Sequence, residues 1–122
     1  MTTMIQPKQS YKRGDIVLML FPHSDLRTAK TRPALVVQAD NLHIGLPQII
    51  VAMITSRMYR AQHQSLVIVH LSSREGRQSG LLTDSVVMTD NLATLAETEI
   101  DRLIGTLPMS NVDTALRHTL GL

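Results

Sequence analysis

The apolar residues of this chain fall into short runs, and the spacing of those runs predicts its elements. Five of them are Asp15 to Phe21 (DIVLMLF), Pro33 to Gln38 (PALVVQ), Gln48 to Thr55 (QIIVAMIT), Ser65 to Leu71 (SLVIVHL) and Ser85 to Thr89 (SVVMT). Each is shorter than a typical helix, and Gly, Pro, Asp, Asn and Ser occupy the segments between them. That pattern predicts β-strands joined by loops. Their Val, Ile and Leu content suits a pleated and largely buried surface. A sixth short strand is predicted at Leu103 to Leu107, ended by Pro108.

After Pro108 the period changes. Val112, Ala115 or Leu116, and Thr119 or Leu120 recur at helical spacing, which gives one apolar face. Ser110 is a suitable N-cap, and Asp113 stands where a carboxylate favours the exposed N–H groups of a first turn. A helix therefore closes the chain, and a shorter helical turn is predicted around Ala96 to Arg102. Residues 1–13 read as a loose polar arm. With no repeat, linker or second unit in view, residues 1–122 are expected to form one domain. It is mainly β, a small closed or nearly closed barrel with helical additions.

Composition narrows the chemistry. A chain of 122 residues can bury one core without a staple. Cysteine is absent, which excludes thiolate zinc sites, iron–sulfur clusters and cysteine nucleophiles and suits a reducing compartment. The opening MTTMIQPKQSYKRGD lacks an apolar stretch long enough for a signal peptide. The longest apolar runs, Ile16 to Phe21 and Ile49 to Ile54, are too short to span a bilayer. A cytoplasmic protein with no membrane contact is expected. The net charge of +2 hides an asymmetry: residues 1–80 carry ten Lys/Arg against four Asp/Glu, and residues 81–122 two against six. One face could thus receive a polyanion, although an ordinary mixed surface has the same composition. Aromatic side chains are limited to Tyr11, Phe21 and Tyr59, so a nucleic-acid site would rest on charge and hydrogen bonds more than on stacking.

Several blocks occur in an order that carries a resemblance. KRGDIVLMLFP (Lys12 to Pro22) is followed by TRPALVV (Thr31 to Val37) and by a block ending MITS (Met53 to Ser56). GLLTDSVVMTD (Gly80 to Asp90), a late LIGTLP and the terminal helix complete the series. From about Arg13 to the C-terminus the chain resembles the MazF/PemK toxins. The resemblance implies the SH3-like barrel that these toxins share with the gyrase poison CcdB. It implies a homodimer, and an antitoxin partner whose largely disordered tail fills the substrate groove. It implies metal-independent cleavage of single-stranded RNA by the ribose 2′-OH, leaving a 2′,3′-cyclic phosphate and a 5′-OH.

Such cleavage needs removal of the 2′-OH proton, charge stabilisation at phosphorus and protonation of the departing oxygen, with no protein nucleophile. Arg32 falls at the family's catalytic arginine, directly before the run that opens at Pro33, and its planar fork matches two phosphate oxygens. Thr55 and Ser56 match the family's hydroxyl pair: Thr55 is a catalytic candidate, and Ser56 could hold the phosphate. Either could instead only terminate a strand. The loop Pro22 to Thr31 carries Arg27, Lys30 and His23 as candidate RNA contacts. Arg27 stands where better-known members have a glutamate, so that role would pass to Asp25, to His23 or to nobody. Asp90 matches a proposed acid–base residue or is a turn aspartate, with Asn91 beside it as an RNA contact. Met88 and Ala93 replace arginines found in relatives. The five histidines show no metal-ligand spacing, and no metal or cofactor is expected. The replaced positions also suit a second reading, a binding protein on the same fold: a toxin relative that has lost cleavage, or a CcdB-like inhibitor of a protein target.

Overall fold

The structure is a computed structural model that describes residues 11–22, 29–40, 42 and 45–122. Six strands, β1 (Asp15–Pro22), β2 (Ala29–Val36), β3 (Gln48–Thr55), β4 (Leu66–Val69), β5 (Ser85–Ala96) and β6 (Ile100–Thr106), form one sheet in the order β4-β5-β3-β2-β1-β6. Every pairing is antiparallel.

Alternation along the strands sorts their side chains into two cores. Val17, Met19, Ala34, Val36, Val51, Met53, Val86 and Met88 share one cluster. Their neighbours Ile16, Leu35, Ala52, Ile54 and Val87 join Val112 and Leu116 of the terminal helix α2 (Ser110–Leu120) in the other. Neither face is left to water, which is why the runs are continuously apolar and not alternating. The first cluster also takes Leu66 from edge strand β4 and Ile100 from edge strand β6. The sheet must curl for both edges to reach one cluster. It remains open, so the barrel expected from the sequence is present as an open, curled sheet.

Several boundaries differ from the pattern. β2 begins at Ala29, four residues before Pro33, because Ala29 to Arg32 pair with Met19 to Pro22 of β1. β5 runs on to Ala96 through an irregularity: Met53 pairs Met88, whereas its neighbour Ala52 pairs Leu92. Thr89, Asp90 and Asn91 are the excess. Thr89 turns inward, where its hydroxyl lies 2.5 Å from the Ser65 carbonyl and 2.7 Å from the Thr119 hydroxyl. The turn foreseen between Ala96 and Arg102 is a short 3-10 segment, Glu97–Glu99, after which β6 begins. Met109, not Ser110, caps α2, without a side-chain bond.

The short helix α1 (Arg74–Ser79) has no apolar stripe and does not show in the periodicity. Its ends are marked instead by Ser73, which accepts from the Gly76 N–H, and by Gly80 in the left-handed conformation. Its C-terminal end lies against β6 so tightly that a Cβ on Gly80 would stand 2.0 Å from the Ile104 carbonyl oxygen. Arg13, the last residue of the predicted loose arm, is tied down: its guanidinium donates to the Val37 carbonyl and pairs with Asp113 at 2.6 Å.

Candidate active site

The pairing of β2 with β3 stops at Ala34 and Met53. β3 runs on for two residues to Thr55 and β2 continues back to Ala29, and continuing the register brings Arg32 opposite Thr55. Here the two strands part. A depression of 540 Å³ opens toward the helix-covered face, lined by Leu18, Pro33, Ile54 and Ile104 at its floor and by Lys30, Arg32, Arg57 and Arg102 among its walls. A second, of 520 Å³, is lined by Met53 and Met88 of the inner cluster together with Tyr59, Arg60 and Asn91. Arg32, Ile54, Thr55 and Arg57 line both. They form a ridge between two halves of one groove.

The charge of this groove follows from its lining. Four cations face the first half, and among the described residues no carboxylate lines either half. Arg32 and Arg57 are exposed, and among the described residues no carboxylate pairs with them. Arg102 is held by its neighbour Asp101 at 3.2 Å. Such a surface attracts a polyanion. The Thr55 hydroxyl oxygen accepts the Arg57 backbone N–H at 3.1 Å. That bond uses a lone pair and leaves the hydroxyl proton to be donated. The local strand-ending role and a ligand-facing role are therefore compatible.

The remaining predicted residues divide. Lys30 and Ser56 line the first half of the groove, and Asn91 lines the second. Arg27 and His23 lie outside the described residues, as does Asp25. Asp90 lines neither half; its carboxylate is bound by Arg60 at 2.6 Å, and Arg60 also reaches the Met88 sulfur. Beyond the groove, Asp84 accepts the Leu71 backbone N–H at 2.8 Å and faces His70 at 3.6 Å. The Leu71 bond, then His70, holds its carboxyl below the usual range despite some desolvation. Among the described residues no three His, Cys, Asp or Glu gather as a metal site, and no helix is long and apolar enough to cross a membrane.

Sequence reasoning missed Arg57, Tyr59, Arg60 and Arg102. The first three follow Ser56 directly in SRMYR, and two arginines beside the hydroxyl pair were a usable signal. They stand on and before a 3-10 turn, Met58–Arg60, that periodicity does not reveal. Arg102 left no such trace: it reaches the groove because β6 pairs with β1, Arg102 opposite Leu18.

Comparison with known proteins gives a consistent result. Residues 12–120 match the family described as PemK-like, MazF-like toxin of type II toxin-antitoxin system. The endoribonuclease MazF2 of Mycobacterium bovis is 34% identical over 107 residues, covering 84% of this chain and 90% of the relative. Among solved structures, the Mycobacterium tuberculosis toxin MazF-mt6 aligns with a TM-score of 0.66 at 26% identity, covering 90% of this chain and 98% of that one. A mycobacterial endoribonuclease in complex with its cognate antitoxin aligns with a TM-score of 0.72 at 21% identity, over 93% and 97% of the two chains.

Proposed function

We infer the function from one premise: the chain belongs to the family of PemK-like, MazF-like toxins of type II toxin–antitoxin systems. It acts as a sequence-specific endoribonuclease in the cytoplasm, cutting single-stranded RNA through the substrate's own 2′-OH without a metal ion. The observation that carries this reading is the splayed end of β2 and β3. It sets Arg32 opposite Thr55 between two depressions that bear cations and, among the described residues, no lining carboxylate.

In the reaction, the 2′-oxygen bonds to phosphorus and the bond from phosphorus to the 5′-oxygen breaks. The 2′-proton leaves, the departing oxygen gains one, and the products are a 2′,3′-cyclic phosphate and a 5′-OH. The Arg32 fork binds the non-bridging oxygens as their charge grows. The Thr55 hydroxyl donates to the same phosphate, and Lys30, Ser56 and Arg57 hold the strand around it. Asp90, the acid–base candidate, is held by Arg60 at 2.6 Å, which orients its carboxylate and leaves it able to accept a proton.

A cognate antitoxin neutralises the enzyme by placing an acidic segment in this groove. Such a segment orders as it binds. The working unit is a homodimer; exposed Leu20, Leu92 and Leu103 supply apolar surface for the contact.

The test is cleavage of a long RNA in EDTA, with end-mapping of the cuts. Purified protein should cut at a recurring short motif and leave cyclic phosphate ends. It should spare DNA of the same sequence and RNA carrying a 2′-methoxy group at the cut. Cleavage of the methoxy substrate, or a need for added magnesium, sinks the mechanism. No cleavage at all favours a binding protein on the same fold.

A further inference from the structure

The second half of the groove contains a feature that phosphate chemistry does not require. Tyr59 is 77% exposed and lines this depression beside Arg32 and Arg57. Of the two aromatic side chains described, Tyr11 packs against the inner core and Tyr59 does not.

Its exposure is not that of a loose loop. The backbone turns through a 3-10 segment closed by the Ala61 N–H donating to the Met58 carbonyl at 2.9 Å. Met58 and Ala61, on either side of Tyr59, both pack against the inner core. Arg60 is pinned by Asp90 and by the Met88 sulfur. The segment is thus anchored before and after the ring, and the ring is left facing the depression. Ordering an aromatic side chain in water without a partner brings no burial, since its stabilising contribution depends on the area it covers.

We propose that Tyr59 is a stacking platform for one base of the RNA, in a nucleotide subsite adjoining the phosphate held by Arg32. This rests on the endoribonuclease reading above. The 520 Å³ of the depression falls in the range of roughly 300–1,000 Å³ typical of small-ligand sites. Its chemistry suits a nucleotide: Arg57 takes the phosphate, Asn91 offers donor and acceptor to a base edge, and Met53 and Ala93 supply an apolar floor. Arg57 also brings positive charge to the region where Met88 and Ala93 stand. An acidic polypeptide is the competing occupant, but it would use the cations and gain less from an aromatic face.

The experiment uses 2′-methoxy RNA spanning a mapped cut, with 2-aminopurine placed in turn at each flanking position, and the variants Tyr59→Ala, Tyr59→Leu and Tyr59→Phe. Stacking on a ring quenches the probe. Wild type and Tyr59→Phe should quench it at one flanking position, and Tyr59→Ala should not. Tyr59→Ala should weaken binding about tenfold, the scale of one base stacked on an aromatic ring. Tyr59→Phe should restore the affinity and Tyr59→Leu should fall short. The salt slope should stay as in wild type, because no cation has been removed. If wild type cuts RNA while Tyr59→Ala binds and quenches like wild type, the subsite is wrong and the enzyme reading stands. Loss of antitoxin binding alone in Tyr59→Ala assigns the ring to the polypeptide and also overturns the subsite. A wild-type protein that neither binds nor cuts RNA overturns both.

Discussion

Arg32 and Arg57 stand on one ridge and line both halves of the groove, yet they come from different backbones and should differ in what they do. Arg32 projects from β2, whose backbone is held by β1 opposite Met19. A rigid strand keeps a planar fork aimed, and aim matters for charge that develops only in the transition state. Arg57 follows the end of β3 and is exposed, where a cation chiefly attracts the RNA backbone. Arg32→Lys retains the charge and loses the fork, and should lower the single-turnover rate at saturating protein by about a hundredfold or more. Arg57→Ala should cost mainly affinity and reduce the salt slope by about one. The roles are exchanged if Arg57→Ala abolishes the saturated rate and Arg32→Lys leaves it intact. Arg60 belongs to neither class, because Asp90 already neutralises it.

Among the elements, α1 closes the rim of the groove: Gly80 and Leu81, which follow it, line the first half. Gly80 and Gly121 both adopt φ near +70°, at 74° and 72°, so alanine strains the backbone at either by about 1–2 kcal/mol. Their surroundings differ. Nothing lies within 4 Å of a Cβ on Gly121, whereas one on Gly80 meets the Ile104 carbonyl oxygen of β6 at 2.0 Å. Overpacking of that kind adds about 1–3 kcal/mol. Urea unfolding should therefore show Gly80→Ala losing clearly more stability than Gly121→Ala. Equal losses mean that α1 yields to the added methyl group, and that its fit against β6 does not anchor the rim.

For the whole molecule, the decisive property is that one groove gathers four cations from three separate places in the chain: Lys30 and Arg32 on β2, Arg57 after β3, and Arg102 on β6. RNA and an acidic antitoxin segment should compete for it, since one field attracts both. Chromatography with light scattering at tens of micromolar, about the concentration where micromolar contacts persist, should give a dimer for the protein alone. It should give a larger complex that no longer cuts RNA once the antitoxin is added. A complex that forms and still cuts at an unchanged rate rules out occlusion of the groove.

The outline of this molecule was present in its sequence because burial leaves a local record. β3 occupies Gln48–Thr55, the run that its apolar residues mark, and α2 carries its stripe of Val112, Ala115 and Leu116 inward. Arg32 and Thr55 were readable as a pair from their blocks, but their juxtaposition was not. It depends on β2 continuing back through Lys30 and Thr31, polar residues that stay extended because β1 pairs with them. Pairing is a property of two strands, and neither strand states it alone. The same reason hid the length of β5, whose exposed Asp90 and Asn91 look like a turn until Thr89 is seen bonded beneath them. It hid Arg102, which the β1–β6 register carries to the groove, and Tyr59, whose ring is left outward only because Met58 and Ala61 are drawn into the core. Composition and periodicity determined which residues are buried and which chemistry was available; tertiary pairing decided which of the remaining charges and rings share one groove, because proximity across a sheet has no counterpart in local order.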